Sequence, residues 1–228
     1  MTERCAPVIT IDGPSGVGKG TISLMLAKHL HWHFLDSGAI YRAIAWAVLH
    51  YQVPLHDTQA IERLVKRIQI RLGSLPLEET VTCDGYDITQ AIRSEQCSAV
   101  ASVTSELPMV RQAVLQYQRD FRRWPGLIAD GRDMGTVVFP EAPLKFFFTA
   151  DSEERVLRRY KQLQDKGINV SLPDIRTDLK ERDSRDTGRA ISPAKPAKDA
   201  IVVDTTHLSI DQVFQEVMRY VKGRMFAE

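Results

Sequence analysis

Residues 7–21 read Pro-Val-Ile-Thr-Ile-Asp-Gly-Pro-Ser-Gly-Val-Gly-Lys-Gly-Thr, and this stretch decides the fold. Its first part, Pro7 to Asp12, is rich in β-branched residues and ends in Gly-Pro, which predicts a short buried strand. The residues from Gly18 to Leu30 have helical spacing, with apolar side chains on one face. A strand, a glycine-rich loop and a helix in immediate succession are typical of a phosphate-binding loop.

The loop residues are Gly13, Pro14, Ser15, Gly16, Val17, Gly18, Lys19, Gly20 and Thr21. The glycines allow backbone N–H groups to turn inward around phosphate oxygens, and the helix that follows begins with positive potential. Lys19 can reach the β and γ phosphates of a nucleoside triphosphate. The residue after Lys19 is Gly20, and the usual hydroxyl comes one position later, at Thr21. The loop therefore predicts triphosphate binding but leaves the subsequent reaction open.

Short apolar strands recur along the chain and alternate with helices. We expect further strands at Phe34-Leu35, Leu127 to Asp130, Leu144 to Thr149 and Ala200 to Asp204. A long helix is expected from Leu107 to Trp124, where Pro125-Gly126 ends it. This alternation predicts an α/β fold: a doubly wound parallel sheet of about five strands, with helices on both faces.

Two segments interrupt the alternation within what we expect to be one domain, residues 1–228. Residues 60–105 contain short extended runs on either side of Asp84-Gly85, which indicates a hairpin and predicts a small α+β insert. Residues 151–189 contain two charged helices, predicted at 151–166 and 174–183, and form a candidate lid. The core is expected at about 1–59, 106–150 and 190–228.

The chain has 228 residues, of which 43% are hydrophobic and 26% charged, and these proportions exclude a disordered or fibrous protein. The formal net charge of +1 argues against broad binding to nucleic acid or to an anionic membrane. We expect no secretory signal, and the longest apolar run, Ala43 to Leu49, is too short to cross a bilayer. Three widely spaced cysteines, Cys5, Cys83 and Cys97, favour a reducing cytoplasm.

Several classes of protein use such a loop: small-molecule kinases, nucleotide switches, and motors or other modules that bind a triphosphate. A guanine-nucleotide switch usually carries DxxG and NKxD motifs. Here no Asp has Gly three residues later, and the only Asn, Asn169, is followed by Val. A motor usually needs a longer chain and a clear catalytic base. These observations favour a kinase, with a noncatalytic nucleotide-binding module as the alternative.

A kinase needs a second site for an anion, and arginine forks suit phosphate because they can bind it through two hydrogen bonds. Arg132 directly follows a predicted buried strand, where ligands bind in open α/β sheets. The candidates are Arg42, Arg111, Arg132, Arg182, Arg185 and Arg189. The segment from Arg155 to Lys198 holds twelve Lys and Arg against six Asp and Glu. It indicates either a solvated charged face or a cationic lid that closes over the phosphates.

Four stretches of the chain carry a resemblance. They are Asp-Gly-Pro-Ser-Gly-Val-Gly-Lys-Gly-Thr (12–21), Leu-Asp-Ser-Gly-Ala-Ile-Tyr-Arg (35–42), Ile-Ala-Asp-Gly-Arg-Asp-Met-Gly-Thr (128–136) and Glu-Arg-Asp-Ser-Arg-Asp (181–186). Together they resemble the bacterial cytidylate kinase family, a branch of the nucleoside monophosphate kinases, from Pro7 to about Tyr220. The resemblance implies transfer of the γ-phosphoryl group of ATP to CMP or dCMP with Mg²⁺. A kinase of another small acceptor remains a rival interpretation.

The resemblance also implies roles for individual residues. The implied catalytic residues are Lys19, Arg132, Arg182 and Arg189. ATP is expected on the loop residues 13–21 and Arg158. The implied acceptor-binding residues are Ser37, Arg42, Ser102, Arg111, Arg132, Asp133, Arg182, Asp186 and Arg189, of which Ser102, Arg111 and Asp133 would face the cytosine. Beyond the metal that accompanies ATP, Thr21 is the one candidate direct ligand of Mg²⁺. The protein is expected to act as a monomer without nucleic acid or membrane.

The chemistry of the acceptor fits this assignment. A phosphate monoester is already anionic near neutral pH, so the protein has to align and neutralise two phosphate groups and needs no general base. A kinase of an alcohol would use a carboxylate such as Asp36 or Asp130, for which helix capping and water-mediated support of Mg²⁺ are the favoured roles. Asp133 can accept from the amino group of cytosine but would repel O4 of uracil, so we expect it to distinguish the two bases.

Overall fold

A computed structural model of the protein describes residues 5–73, 80–165 and 167–225. Residues 1–4, on which the expectation of no secretory signal partly rests, lie outside this range. Residues 74–79 of the predicted insert and residue 166 of the predicted lid lie outside it as well.

The described residues form eight strands in two sheets. In chain order the strands are β1 (Val8–Asp12), β2 (His33–Asp36), β3 (Ile70–Leu72), β4 (Val81–Cys83), β5 (Tyr86–Asp87), β6 (Leu127–Gly131), β7 (Leu144–Thr149) and β8 (Ile201–Asp204). Five of them build a parallel sheet in the order β2-β6-β1-β7-β8, whereas β3, β4 and β5 build a separate antiparallel sheet. The five-stranded parallel sheet confirms the prediction from the alternation of strands and helices.

Helices cover both faces of the parallel sheet. In the described part of the chain they are α1 (Lys19–Leu30), α2 (Ser37–His50), α3 (Thr58–Arg67), α4 (Glu95–Thr104), α5 (Pro108–Arg119), α6 (Ser152–Asp165), α7 (Leu172–Gly188) and α8 (Ile210–Met225). A 3₁₀ turn, Ala91–Arg93, precedes α4, and a π-helical turn, Met134–Val138, follows β6. None of the described helices is long and apolar enough to cross a membrane.

The two faces of the sheet bury separate hydrophobic cores. Along β1, Val8 packs into one core with residues of α2, α4 and α5, whereas Ile9 and Ile11 pack into the other with residues of α1 and α8. This arrangement follows from the alternation of side chains along a strand. Because both faces are covered, all five residues of β1 are buried, as the continuous β-branched run predicts.

The predicted hairpin is confirmed at the turn between β4 and β5. Asp84 and Gly85 have φ angles of 49° and 86°, and a two-residue turn of this kind requires positive φ at both positions. The turn pairs Cys83 with Tyr86 across the hairpin. The two strands, together with β3, form the antiparallel sheet of the predicted insert, and α4 follows them and packs on α2.

Helix α5 is shorter than predicted, since it ends at Arg119 and not at Trp124. Phe121 turns into the hydrophobic core, and Nε of Arg122 donates to the carbonyl oxygen of Ala6 at 2.6 Å. Trp124 also precedes a proline, and that position disfavours the helical conformation. The helix therefore stops early so that the chain can turn into β6.

Helix α7 is longer than the predicted range of 174–183, since it extends from Leu172 to Gly188. At its start, the hydroxyl of Ser171 accepts from the backbone N–H of Asp174 at 3.3 Å and caps the helix. Its last turn carries the buried Asp186, whose carbonyl oxygen accepts from Ala194 N at 2.8 Å. These contacts stabilise both ends beyond the predicted bounds.

Candidate active site

Three carboxylates lie where neighbouring strands of the parallel sheet end. Asp12 is the last residue of β1, Asp36 is the last residue of β2, and Asp130 is the penultimate residue of β6. The register of the sheet pairs Asp36 with Asp130 and Asp12 with Gly131, so the three residues share the carboxyl edge of the sheet. Ligands of open α/β sheets bind outside this edge.

The loop between β1 and α1 adopts a conformation that its glycines allow. Gly13, Gly16 and Gly18 have φ angles of 142°, 82° and 86°, which residues with a side chain rarely adopt. A side chain at Gly13 would also collide with the carbonyl oxygen of Phe148. No side chain among the described residues caps the start of α1 at Gly18. The uncapped N–H groups of this helix end are therefore available to an anion.

The side chain of Lys19 lies inside the phosphate loop and forms a hydrogen bond across it. Its Nζ donates to the carbonyl oxygen of Pro14 at 2.7 Å, and its side chain is buried. Burial, reinforced by the positive charge of Arg132, lowers the pKa of Lys19 to about 7, although Asp130 and Asp12 act in the opposite direction. The amine is thus fixed inside the loop with a pKa close to neutral pH.

The glycine that follows Lys19 faces a carboxylate. A Cβ atom on Gly20 would lie 3.4 Å from Oδ2 of Asp130, so this carboxylate approaches the first turn of α1 directly. Burial raises the pKa of Asp130 to about 6, against the opposing charge of Lys19. Thr21 lies on the same helical turn and is exposed. A hydroxyl and a carboxylate therefore border the end of the phosphate loop.

Asp36 has two partners that fix its carboxylate. Its Oδ1 accepts from the backbone N–H of Ala39 at 3.1 Å, which confirms the predicted cap of α2, and its Oδ2 accepts from Nη2 of Arg42 at 2.7 Å. Burial acts to raise the pKa of Asp36, but the charge and hydrogen bond of Arg42, together with the Ala39 N–H, hold it below its usual value. Such a carboxylate is a poor general base.

Asp186 on α7 joins two arginines that come from different parts of the chain. Its Oδ2 accepts from Nε of Arg132 at 2.9 Å, and its Oδ1 accepts from Nη2 of Arg189. Nη2 of Arg132 also donates to the hydroxyl of Ser15 at 2.9 Å. One guanidinium therefore contacts both the phosphate loop and α7. Burial acts to raise the pKa of Asp186, but Arg132 and Arg189 hold it below its usual value.

Arg182 lies on the same helix as Asp186 but has no hydrogen bond or ion pair within the described part of the chain. Its Nε is buried without a partner. Burial, reinforced by the charge of Arg132, lowers the pKa of the Arg182 guanidinium to about 10, although Asp186 opposes the shift. A cationic side chain whose nitrogen is buried without a partner is costly. We therefore interpret Arg182 as facing a site for an anion.

A buried ion pair stands beside this cluster. Nη2 of Arg111 donates to Oδ2 of Asp133 at 2.5 Å, and the two side chains are only 6% and 5% exposed. Nη1 of Arg111 donates to the carbonyl oxygen of Ser105 at 3.1 Å, and the Ser105 hydroxyl accepts from Arg189 at 3.2 Å. The Arg111 guanidinium also lies 5.4 Å from the centre of the Tyr41 ring. Ser105 thus links the ion pair to the Asp186 cluster.

Ser37 and Ser102 border the arginine cluster from two sides. Ser37 is buried next to Gly131, where a Cβ atom would lie 2.7 Å from its hydroxyl oxygen. The hydroxyl of Ser102 accepts from Nε of Arg185 at 3.0 Å, which connects α4 to α7. The structure therefore brings both serines, together with Arg42, Arg111, Arg132, Asp133, Arg182, Asp186 and Arg189, to the region between the sheet edge, α4 and α7.

Arg158 is placed differently from the other arginines named by the resemblance. It donates to the carbonyl oxygens of Thr205 and Thr206 at 2.6 and 3.1 Å, and it pairs with Glu154 at 2.9 Å. The hydroxyl of Thr205 lies 3.1 Å from the carbonyl oxygen of Val17 in the phosphate loop. Arg158 therefore supports the back of the loop through this turn, and its guanidinium is engaged by protein groups.

Sequence reasoning missed two residues that contact the cluster. Ser105 has no motif of its own, and only the fold shows that it bridges Arg111 and Arg189. Arg155 is buried, pairs with Asp183, and donates through Nη1 to the carbonyl oxygen of Ser15 at 3.2 Å. Its position in the first turn of the helix after β7, at the carboxyl edge of the sheet, is the one signal that could have identified it.

The sequence matches known proteins over nearly its full length. The family model for cytidylate kinase matches residues 9–223. A cytidylate kinase from Coxiella burnetii (strain RSA 493 / Nine Mile phase I) is 63% identical over 227 residues, which cover 99% of this chain and 96% of that protein. A cytidylate kinase from Shewanella denitrificans is 52% identical over 98% of this chain and 99% of that protein.

Similarity to solved structures is much weaker. A gluconokinase from Sinorhizobium meliloti 1021 is 12% identical and aligns over 98% of each chain with a TM-score of 0.47. A shikimate kinase from Bacteroides thetaiotaomicron is 10% identical and aligns over 95% of this chain and 97% of that chain with a TM-score of 0.42. The assignment rests instead on the family model and on the two sequence relatives, which leave no part of the fold unmatched. The chain belongs to the cytidylate kinase family.

Proposed function

We propose that this protein transfers the γ-phosphoryl group of ATP to CMP or dCMP and releases ADP and CDP or dCDP. Family membership supports the reaction, and one structural observation supports its site. Arg132 donates to Ser15 in the phosphate loop and to Asp186 on α7, each at 2.9 Å. The donor loop and the arginine cluster therefore share one side chain. Two phosphate groups bound on either side of it would be neighbours, as in-line transfer requires.

The phosphate loop, residues 13–21, is the proposed site of the triphosphate. Backbone N–H groups of the loop and of the uncapped start of α1 would surround its oxygens. Lys19 would exchange the carbonyl oxygen of Pro14, now 2.7 Å from its Nζ, for oxygens of the β and γ phosphates. Arg158 would contribute from behind the loop, through the turn at Thr205.

The arginine cluster is the proposed site of the acceptor phosphate. Arg42, Arg132 and Arg189 would hold its oxygens, because guanidinium forks match phosphate geometry. Asp186 would then be released from the two arginines and become available to the ribose. Arg182 would neutralise charge on the transferred group, which fits its lack of a hydrogen-bond partner at the buried Nε.

The reaction needs no general base, because the attacking phosphate oxygen is already anionic. The protein contributes by alignment and by neutralising the charge of two groups that repel each other. Asp36 fits this mechanism and not that of an alcohol kinase, since Arg42 and the Ala39 N–H keep its pKa low. Catalysis therefore rests on Lys19 and the arginines.

Mg²⁺ is the proposed metal, and it would enter with ATP. The donor set fits: the exposed hydroxyl of Thr21 and the Asp130 carboxylate border the end of the loop, and Asp36 pairs with Asp130 in the sheet register. Thr21 would be the direct ligand, whereas Asp130 and Asp36 would act through water. The metal would neutralise charge on the β and γ phosphates.

The cytosine base is proposed to be recognised through hydrogen bonds with Asp133, Arg111 and Ser102. The Asp133 carboxylate can accept from the amino group of cytosine, and Nη2 of Arg111 holds its Oδ2 at 2.5 Å. Uracil presents an oxygen at that position, and two acceptors facing each other in a buried site are costly. Donors from Arg111 or Ser102 would satisfy N3 or O2 of cytosine.

Replacing Asp133 by asparagine should therefore reduce the preference for CMP over UMP. We expect the ratio of their kcat/KM values to fall by roughly 10- to 100-fold, because the amide can donate to O4 of uracil. The KM for ATP should stay within about twofold of the wild-type value. Steady-state kinetics with the two acceptors measures both. Asp199→Asn is the matched control, since Asp199 also pairs with a cation, Lys145, but outside the site. An unchanged ratio would remove Asp133 from base recognition.

Two parts of the chain are proposed to enclose the acceptor: the insert at about 60–105 and the lid at about 151–189. Arg159 on α6 donates to Glu95 on α4 at 2.5 Å, so the first helix of the lid contacts the insert. Arg185 on α7 donates to Ser102 on the same insert helix at 3.0 Å. These contacts support a lid and an insert that meet over the acceptor.

Binding of MgATP near pH 8 should take up about one proton per protein molecule. The pKa of Lys19 is lowered to about 7, so its amine is largely neutral at that pH. The triphosphate is negative and should raise this pKa, so the affinity for MgATP should fall as the pH rises above 7. Calorimetry in two buffers with different ionisation enthalpies measures the uptake, and Lys19→Met should abolish it. Equal heats in both buffers would contradict the prediction.

The proposed function is tested by offering different acceptors separately with ATP and Mg²⁺. ADP formation should be strong with CMP and dCMP and weak with UMP, AMP, GMP and shikimate. Equal activity with UMP and CMP would support a kinase but contradict the proposed recognition of cytosine. Binding of ATP without ADP formation for any acceptor would favour a noncatalytic nucleotide-binding module.

A monomer in the cytoplasm is the proposed working form, with no nucleic acid or membrane as partner. The free thiols support a reducing compartment, since Cys83 and Cys97 are buried and unpaired and Cys5 is exposed and unpaired. Light scattering on the purified protein tests the monomer: a mass near 25.8 kDa is expected, and twice that mass would contradict it.

A further inference from the structure

Both oxygens of the Asp12 carboxylate accept hydrogen bonds from backbone N–H groups of the turn after β6. Its Oδ1 accepts from the N–H of Met134 at 2.8 Å, and its Oδ2 accepts from the N–H of Gly135 at 2.8 Å. These N–H groups open the π-helical turn Met134–Val138, which follows β6. Asp12 is the last residue of the central strand β1, and its side chain is only 4% exposed. Asp12, at the end of the central strand, thus holds a turn that packs against the same strand.

The segment that this turn fixes contains two of the proposed acceptor contacts. Arg132 and Asp133 lie between Gly131 and Met134. Gly131 pairs with Asp12 in the sheet, and the backbone N–H of Met134 donates to the Asp12 side chain. Asp12 therefore holds both ends of this short segment, one through backbone register and the other through its carboxylate. We propose that Asp12 is a positioning residue for the acceptor: it fixes Arg132 and Asp133 in the geometry that binds phosphate and base. This inference rests on the proposed function.

The packing between the turn and β1 leaves little freedom for another arrangement. A Cβ atom on Gly135 would lie 2.8 Å from Oγ1 of Thr10 and 3.4 Å from Oδ2 of Asp12. Only a glycine lets the backbone of the turn approach β1 closely enough for both N–H groups to reach the carboxylate. The hydrogen bonds of Asp12 to the turn therefore depend on the absence of a side chain at Gly135.

Stability alone does not explain this buried charge. Burial raises the pKa of Asp12 to about 7, although the N–H groups of Gly135 and Met134 lower it; Asp133 adds to the rise and Lys19 opposes it. Lys19 donates to Pro14, and the described hydrogen bonds of Asp12 are the two from the turn. An apolar residue would avoid the cost of burying a carboxylate. What the carboxylate adds is a directional attachment for two specific N–H groups.

Asp12→Asn tests the inference with nearly the same shape. The asparagine oxygen can accept from one N–H group, but its NH₂ group would face the other, so one end of the segment should be released. We expect the KM for CMP to rise by at least about tenfold and the CMP-to-UMP ratio of kcat/KM to fall, because positioning errors weaken oriented contacts. The KM for ATP should stay within about threefold. If Asp12 had only a structural role, Asp12→Asn would lower the melting temperature without raising the KM for CMP more than the KM for ATP.

Asp57→Asn is the matched control. Asp57 also accepts a backbone N–H group, from Ala60 at 2.9 Å, but it caps α3 far along the chain from the acceptor contacts. This variant should keep both KM values. If folded Asp12→Asn retains the wild-type KM for CMP and the wild-type CMP-to-UMP ratio, the inference is wrong.

Gly135→Ala provides a second route if Asp12→Asn does not fold. The added methyl group should push the turn away from Thr10 and Asp12 and raise the KM for CMP in the same selective way. Thr10→Ala removes the nearest obstacle, and its hydroxyl is buried without a hydrogen-bond partner in the described structure, so this change is mild. The double variant should recover most of the lost affinity for CMP. A normal KM for CMP in folded Gly135→Ala would overturn the inference, and so would a raised KM that the double variant does not lower.

Amide hydrogen exchange separates this inference from the proposed function. In Asp12→Asn, the N–H groups of Met134 and Gly135 should exchange at least about tenfold faster, while those of α8 should not change. If wild-type protein fails to phosphorylate CMP but this local effect is present, the proposed function fails and the positioning role stands. If the exchange rates are unchanged, the positioning role fails whatever the activity.

Discussion

Replacing Lys19 by alanine should lower kcat with CMP by roughly 10²- to 10³-fold, the loss expected when one preorganised donor to developing charge is removed. The amine already sits inside the phosphate loop, with Nζ 2.7 Å from the carbonyl oxygen of Pro14. It has to exchange only this partner to reach the triphosphate. The dissociation constant of CMP should stay within about threefold, because the hydrogen bond of Lys19 is to the phosphate loop and not to the arginines proposed to hold the acceptor phosphate.

Steady-state turnover and calorimetric binding of CMP, measured on the same preparations, check this result. Lys28→Ala is the matched control, since Lys28 lies on the same helix but is exposed. The control should retain wild-type turnover. A Lys19→Ala protein that keeps more than about a tenth of the turnover would show that the loop has been misinterpreted.

Replacing Arg132 by methionine should lower kcat/KM for CMP by roughly 10³-fold, through both kcat and KM. Its guanidinium bridges the hydroxyl of Ser15 and the carboxylate of Asp186, each at 2.9 Å. Its loss would remove the proposed contact to the acceptor and the connection between the phosphate loop and α7. Arg132→Lys should recover only part of the activity, because one ammonium group cannot reproduce the planar fork.

Arg122→Met is the control for this prediction. Arg122 is also held by the protein, through the carbonyl oxygen of Ala6 at 2.6 Å and through Glu141 at 2.6 Å, but it lies outside the site. Kinetics over a range of CMP concentrations, with melting temperatures for all three variants, separates lost function from lost stability. If Arg132→Met remains folded and its KM and kcat match those of the Arg122→Met control, Arg132 has no part in binding the acceptor.

The sequence predicts the parts of the fold that depend on local pattern. The buried run before Gly13 predicts β1, and Asp84-Gly85 predicts the hairpin, because each depends on a few adjacent residues. The end of α5 depends on distant contacts instead. Arg122 leaves the helix to reach Ala6, more than a hundred positions away, and no local pattern near Trp124 carries that information.

The candidate site divides in the same way. Arg132 can be identified because it directly follows a predicted strand, and every such end lies at one edge of a parallel sheet. Ser105 cannot be identified in this way, since it matters through contacts across the fold, to Arg111 and to Arg189. Arg155 follows a strand end as well, but its contact with Ser15 becomes visible only in the fold. The unpaired Nε of Arg182 is a property of the packed structure, which no sequence pattern records.

The Asp186 carboxylate pairs with two of the arginines that are proposed to bind the acceptor phosphate. Arg132 and Arg189 each donate to one of its oxygens, so each guanidinium group is paired with a carboxylate. If the cluster binds the acceptor as proposed, an arriving phosphate would replace the Asp186 carboxylate on these arginines, and the same carboxylate would replace a departing product. The affinity for the acceptor would then depend on the competition between its phosphate and the Asp186 carboxylate. Such competition would allow several arginines to bind the substrate without slowing the release of the product.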